Sequence, residues 1–170
     1  ADLAGVDAGR RFHPAWSGEP IPRLEAVLAL CADLGLGLNV EIKPASGHDV
    51  DTGRVVAETV ARACPAGLPL VLSSFSEAAL DAARAAAPSQ PRALLFEALP
   101  AGWAERVAAV GARSVHARAA DLGENEAAAL RRAGIPFALY TVNGRDQAER
   151  CLALGATALF TDRLDTLGPA

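Results

Sequence analysis

The sequence predicts an α/β fold of the (β/α)8 TIM-barrel class, with about six of the eight strands present in this chain. Three observations predict it. Short apolar runs rich in Val, Leu, Ile and Phe alternate with longer alanine-rich segments of helical period, which reads as strand then helix, repeated. The connections between them are short, as in an all-parallel sheet with right-handed crossovers. Polar residues collect at the C-terminal ends of successive strands: Glu41 and Lys43, Ser73 and Ser74, Thr141 and Asn143, Thr161 and Asp162. A parallel barrel builds its active site at that end. An open doubly wound sheet is disfavoured because no GxGxxG follows a strand; Gly35 and Gly37 precede the first one.

The elements follow in order. A helix is expected over Leu24–Asp33, with Leu24, Val27, Leu28 and Cys31 on one face, Pro22 near its start and Gly35 past its end. Leu38–Lys43 reads as a strand, followed by a helix near Gly53–Cys64 and a strand over Pro69–Phe75. Ser76 opens the next helix, with Glu77 in its first turn. Arg92–Glu97, Ser114–Arg118, Phe137–Val142 and Ala158–Thr161 are the remaining strands, and helices near Ala101–Val110, Glu124–Ala133 and Arg145–Leu154 join them. A full barrel takes about 250 residues, so the 170 residues read as one domain, the C-terminal portion of such a barrel. Two strands are expected upstream, since the chain starts at Ala1 and contains no methionine.

Composition excludes several classes of function. A 51% hydrophobic and 21% charged chain with mean hydropathy +0.20 is globular. A net charge of -4 and scattered arginines give no footprint for nucleic acid. No apolar run reaches the length of a membrane span and no signal-like segment opens the chain. It reads as a soluble bacterial protein, a cytoplasmic location being favoured over a periplasmic one. Cys31, Cys64 and Cys151 are odd in number and far apart, so they read as buried free thiols.

The chemistry concentrates on Leu38–Lys43. Side chains alternate along a strand, so Leu38, Val40 and Ile42 pack against outer helices while Asn39, Glu41 and Lys43 face the barrel interior. Interior charges need partners. A mutual Glu41–Lys43 ion pair is one solution. The other is a carboxylate ligand for a hard divalent cation, with Lys43, the chain's single lysine, meeting an anionic substrate. Phe75, at a strand end, is a candidate apolar wall. His13 and His48 fall in loops and His116 on a strand, without metal-ligand spacing. His116 reads as a hydrogen-bonded structural residue, and His48 or Asp49 as weaker candidates for substrate contact. Ser73 and Ser74 lack a nucleophile elbow.

Ile21-Pro22-Arg23-Leu24-Glu25, Asn39-Val40-Glu41-Ile42-Lys43-Pro44, Leu72-Ser73-Ser74-Phe75-Ser76, Tyr140-Thr141-Val142-Asn143 and Phe160-Thr161-Asp162 occur in an order that resembles the glycerophosphodiester phosphodiesterases. The resemblance covers essentially the whole chain, and the Glu-Ile-Lys-Pro strand is its most specific element. It implies a (β/α)8 barrel that hydrolyses glycerophosphodiesters to glycerol 3-phosphate and an alcohol with a divalent cation, Ca2+ or Mg2+. Glu41 would be a metal ligand and Lys43 the catalytic, phosphate-contacting lysine. Tyr140 stands where the family usually has tryptophan and keeps an aromatic wall, so Lys43, Phe75 and Tyr140 are the expected substrate contacts. The family's catalytic histidines and remaining carboxylate ligands would lie upstream, and the segment from Asp2-Leu3 to Phe12 resembles the stretch just after them. Ala156-Thr157-Ala158 departs from the family's Val-Asp-Gly.

Two other readings follow from the same residues. A catalytically incomplete barrel fragment could serve as an interaction or structural module, with an oligomer or second chain covering its open edge. A different barrel enzyme could use Lys43 as a Schiff-base amine.

Overall fold

A computed structural model describes residues 3 and 5–168; Asp2 lies outside the described residues. After a short 3-10 turn at Pro14–Trp16, the chain runs α1 (Leu24–Asp33), β1 (Leu38–Glu41), α2 (Asp49–Ala63), β2 (Leu70–Ser74), α3 (Glu77–Ala86), β3 (Arg92–Phe96) and α4 (Trp103–Ala109). It continues through β4 (Ser114–Arg118), α5 (Glu124–Arg132), β5 (Phe137–Tyr140), α6 (Arg145–Ala153), β6 (Ala158–Leu159) and a final turn of helix, α7 (Leu164–Leu167). The six strands form one sheet in the order β1-β2-β3-β4-β5-β6, every neighbouring pair parallel. Sequential order with parallel pairing is the arrangement of a barrel wall. It excludes the reversal of strand order that a doubly wound sheet requires.

The register separates two faces. Partners opposite one another point to the same side of the sheet. Asn39 opposes Val71, Glu41 opposes Ser73, Ser73 opposes Ala93, Leu95 opposes His116, His116 opposes Ala138 and Arg118 opposes Tyr140, so these line the interior. The alternate residues face the helices and make the core. Leu72, Ile42, Leu28, Ala57, Val60, Ala79 and Ala83 form one cluster, and Leu94, Phe96, Val107, Val115, Leu130, Phe137, Leu139 and Val142 belong to the other. Burial of each Val, Leu, Ile or Phe among them contributes about 1.5–3 kcal/mol.

Local chemistry explains the boundaries. Gly35, at φ 65°, follows the last turn of α1 in the left-handed conformation that stops a helix. Ser76 caps α3, its Oγ accepting a hydrogen bond from the Ala79 amide at 3.1 Å. Several expectations need correction. Helix α2 begins at Asp49, four residues before Gly53, because Asp49 and Asp51 suit the positive end of the helix dipole. Strand pairing stops earlier than alternation suggests, at Glu41, Tyr140 and Leu159. At the sheet's far edge β6 is only two residues long, the shortness by which an exposed edge is blunted. Only Cys151 is a buried free thiol; Cys31 and Cys64 are half-buried on α1 and at the end of α2.

Arg92, at the start of β3, is buried with its guanidinium among main-chain oxygens, donating to Gln90 (2.8 Å), Gly111 (3.1 Å) and Val110 (3.3 Å). It ties the turn before β3 to the end of α4 at the end of the sheet opposite the polar strand termini. Desolvation lowers its pKa.

Candidate active site

At the C-terminal ends of the strands a cavity of about 330 Å³ opens, lined by Asn39, Glu41, Lys43, Phe75, Leu95, His116, Tyr140, Thr141 and Phe160. Each strand contributes through its inward row. The structure thus brings together all four residues singled out from the sequence, Glu41, Lys43, Phe75 and Tyr140, although they are spread over a hundred positions of chain.

The charges at the mouth are more hydrated than an interior position implies. Lys43 is 83% exposed and its Nζ lies 3.8 Å from Glu41 Oε1, so the mutual ion pair exists alongside an ammonium free to meet an anion. A pair this exposed contributes little to stability. Opposite it, Phe75 and Tyr140 meet edge to face with ring centroids 6.2 Å apart. The Tyr140 hydroxyl donates to the Phe96 carbonyl at 2.7 Å, and burial pushes its pKa up to about 12. Tyr140 therefore offers the cavity an aromatic face, its phenol being already engaged.

His116 was expected to be a hydrogen-bonded structural residue, and the structure corrects this. It is 6% exposed on the cavity floor, its Nδ1 has no hydrogen-bond partner, and its ring packs edge to face on Phe160 at 5.0 Å. Desolvation lowers its pKa to about 4, so the imidazole is neutral at physiological pH and holds no proton to donate as an acid. The signal in the sequence was its place on an inward row beside small and apolar neighbours, Leu95 and Ala138.

Other candidates are placed elsewhere. His13 is exposed and caps the 3-10 turn, its Nδ1 accepting from the Ala15 amide. His48 precedes α2, and Asp49 accepts from Ser76 Oγ at 2.6 Å, joining the starts of α2 and α3; neither lines the cavity. Ser74 Oγ donates to the Ile42 carbonyl, while Ser73 Oγ is buried without a partner. Asn143 acts as a clasp: its Oδ1 accepts from Thr161 Oγ1 and the Asp162 amide, and its Nδ2 donates to Asp162.

A divalent cation is not accommodated by this set alone. Among the described residues no group of three or more His, Cys, Asp or Glu side chains could hold a metal. Glu41 is the single carboxylate on the cavity wall, whereas Ca2+ takes about 6–8 oxygen ligands and Mg2+ an octahedron.

Sequential parallel strands and a cavity at their C-terminal ends define the molecule as part of a (β/α)8-type barrel with its site at the usual face. The chain matches the glycerophosphoryl diester phosphodiesterase family over residues 1–166, and it belongs to that family. It is 26% identical, over 170 residues, to the glycerophosphodiester phosphodiesterase of Caldanaerobacter subterraneus subsp. tengcongensis, covering 98% of this chain and 68% of that protein. An Oleispira antarctica phosphodiesterase, solved in complex with the product sn-glycerol 3-phosphate, superposes with a TM-score of 0.88 at 29% identity, covering 94% of this chain and 65% of the other. The glycerophosphodiester phosphodiesterase of Agrobacterium tumefaciens shares the fold at 21% identity and a TM-score of 0.72, with 96% and 68% covered. The chain thus spans about two thirds of the length of these proteins. No helix among the described residues is long and apolar enough to cross a membrane.

Proposed function

We propose that this protein hydrolyses glycerophosphodiesters to sn-glycerol 3-phosphate and an alcohol, and that the cavity at the strand ends is where the diester binds. The observation that carries this reading is the convergence of Glu41, Lys43, Phe75 and Tyr140 on one cavity, in a chain of this family. The Oleispira enzyme's complex with sn-glycerol 3-phosphate supports the product assignment.

Lys43 serves as the phosphate contact: a compact, hydrated point charge that stabilises the negative charge gathering on phosphate oxygens as the P–O bond breaks. The Phe75–Tyr140 wall orients the carbon skeleton of the diester. A divalent cation, Ca2+ or Mg2+, belongs to this reading as a group that Glu41 helps to hold with ligands from outside these 170 residues. The pair of histidines expected for acid–base catalysis is likewise assigned outside them, since His116 is the one histidine that lines the cavity.

The test is steady-state hydrolysis of glycerophosphocholine by a protein in which these 170 residues are joined to the rest of the barrel, and by its Lys43→Met variant. Removing one charge-stabilising group costs about 10²–10³ in rate, so kcat/KM should fall by about two orders of magnitude or more. Near-normal kinetics would reduce Lys43 to the ion-pair partner of Glu41. The alternative, an incomplete barrel acting as an interaction module, is favoured by the unpaired outer edges of β1 and β6. It predicts no turnover with any divalent cation even when these residues are joined to the rest of the barrel.

A further inference from the structure

Resting on the hydrolase reading, and narrowing its substrate class, we infer that the site selects zwitterionic diesters, whose alcohol carries an ammonium group, and that Glu97 and the Phe75–Tyr140 wall read that cation.

Glu97 stands one residue past the end of β3 and two beyond the inward-facing Leu95, so strand alternation turns it towards the mouth of the site. Several links set it beside Tyr140. The Tyr140 hydroxyl donates to the Phe96 carbonyl, the peptide group that leads into Glu97. The Glu97 carbonyl accepts from the Arg118 amide at 3.3 Å, and Arg118 opposes Tyr140 in the sheet register. Burial first, and then the Glu97 carboxylate, raises the Tyr140 phenol pKa, as a negative charge close by must. This corner lies away from the open edges of the sheet, since β3, β4 and β5 are each paired on both sides.

Arg118 does not cancel the Glu97 charge. Its Nε is engaged by Asp121, while its Nη2 lies 4.0 Å from Glu97 Oε2, the outer limit of an ion pair. Two carboxylates share one guanidinium, so the group keeps one negative charge, and Glu97, 74% exposed, is the looser partner. Lys43, beyond the end of β1, presents the ammonium assigned to phosphate. Phe75, at the end of β2, lies between the two in strand order and meets Tyr140 edge to face. A diester held by its phosphate at Lys43 therefore runs its alcohol over aromatic rings towards a carboxylate. The rings attract a cation through their quadrupole, and the carboxylate adds its charge. A neutral alcohol gains neither attraction.

The experiment uses a protein in which these residues are joined to the rest of the barrel. It compares release of sn-glycerol 3-phosphate from glycerophosphocholine, whose alcohol is cationic, and from glycerophosphoglycerol, whose alcohol is neutral. Wild type should prefer the choline diester about tenfold in kcat/KM, mainly through KM. E97Q should reduce that preference about three- to fivefold, E97K should abolish it, and E97D should retain it. Y140F, which keeps the ring, should also retain it, and Y140L should not. Equal kcat/KM on the two diesters in wild type, or a preference unchanged in E97Q and E97K, overturns the assignment. A uniform fall on both diesters in E97Q overturns it too, because a merely structural Glu97–Arg118 pair would act that way. If wild type cleaves neither diester, the hydrolase reading fails, and calorimetric titration with each diester then decides the cation site by itself. Tighter binding of the choline diester, levelled in E97Q, leaves that site standing; equal affinities or no binding remove it. Thermal melts of each variant separate loss of contact from loss of fold.

Discussion

The burial of His116 carries a consequence for stability. Its pKa is about 4 in the folded chain against an ordinary 6.5. Above pH 6.5 the imidazole is neutral in both folded and unfolded chains, so it imposes no electrostatic cost. As pH falls from 6.5 towards 4 the unfolded chain takes up a proton that the folded chain refuses, and stability is lost over that window. A difference of this size corresponds to about 3 kcal/mol. Urea unfolding at pH 7 and pH 4 should therefore show a steeper loss in wild type than in H116F; equal losses would mean that the ring is not desolvated in solution. Lys43 belongs to the opposite regime, where exposure leaves its ammonium available and its pairing with Glu41 energetically slight. Asp49 and Asn143 show a third behaviour, since both stand beside the site's residues in sequence yet spend their oxygens on holding elements together.

Among the elements, α2 and α3 pack backbone against backbone at Gly53 and Ala79. An added Cβ on Gly53 would lie 2.1 Å from the Ala79 carbonyl oxygen, so the glycine lets the two backbones meet. Helix propensity alone favours alanine over glycine by about 1 kcal/mol. Overpacking costs about 1–3 kcal/mol and should win here, because the clash is with backbone that cannot rotate away. Gly53→Ala should thus lower the denaturation midpoint despite its better helix propensity; an unchanged or raised midpoint would show that the helices separate without cost. The contact matters for the site because α2 and α3 also share the Ser76–Asp49 hydrogen bond above β1 and β2, the strands that carry Lys43 and Phe75 at their ends.

For the molecule as a whole, the decisive feature is that the described sheet is open. β1 and β6 pair on one side only, and the inner face carries an apolar cavity lined by Leu38, Leu70, Val71, Ala138, Ala158 and Phe160. The edge of β6 is blunted by its shortness, but the four-residue edge of β1 beside apolar surface is a template for further pairing. A polypeptide of these 170 residues alone should therefore self-associate in sedimentation experiments and should not hydrolyse glycerophosphocholine. A monomer that melts cooperatively and turns over the diester would instead place the full catalytic set within this chain.

What the sequence by itself determined are the properties carried by short-range pattern. Leu38, Val40 and Ile42 alternate with Asn39, Glu41 and Lys43, so the faces of β1 were legible, and the bounds of α1 and β4 match the expected ones residue for residue. The strand–helix rhythm gave the barrel class, and the Glu-Ile-Lys-Pro strand gave the family. The start of α2 was not legible, because Asp49 to Thr52 holds a single apolar residue, Val50, which is exposed, and the turn is anchored by Ser76, a distant partner. Tertiary structure alone decided what each inward residue does. Tyr140's hydroxyl is consumed by a carbonyl 44 positions away, and His116 Nδ1 is buried without a partner while its ring packs on Phe160, just after β6. Alternation along a strand tells which way a side chain points; how much water and which partners it meets there depends on walls built from the rest of the chain.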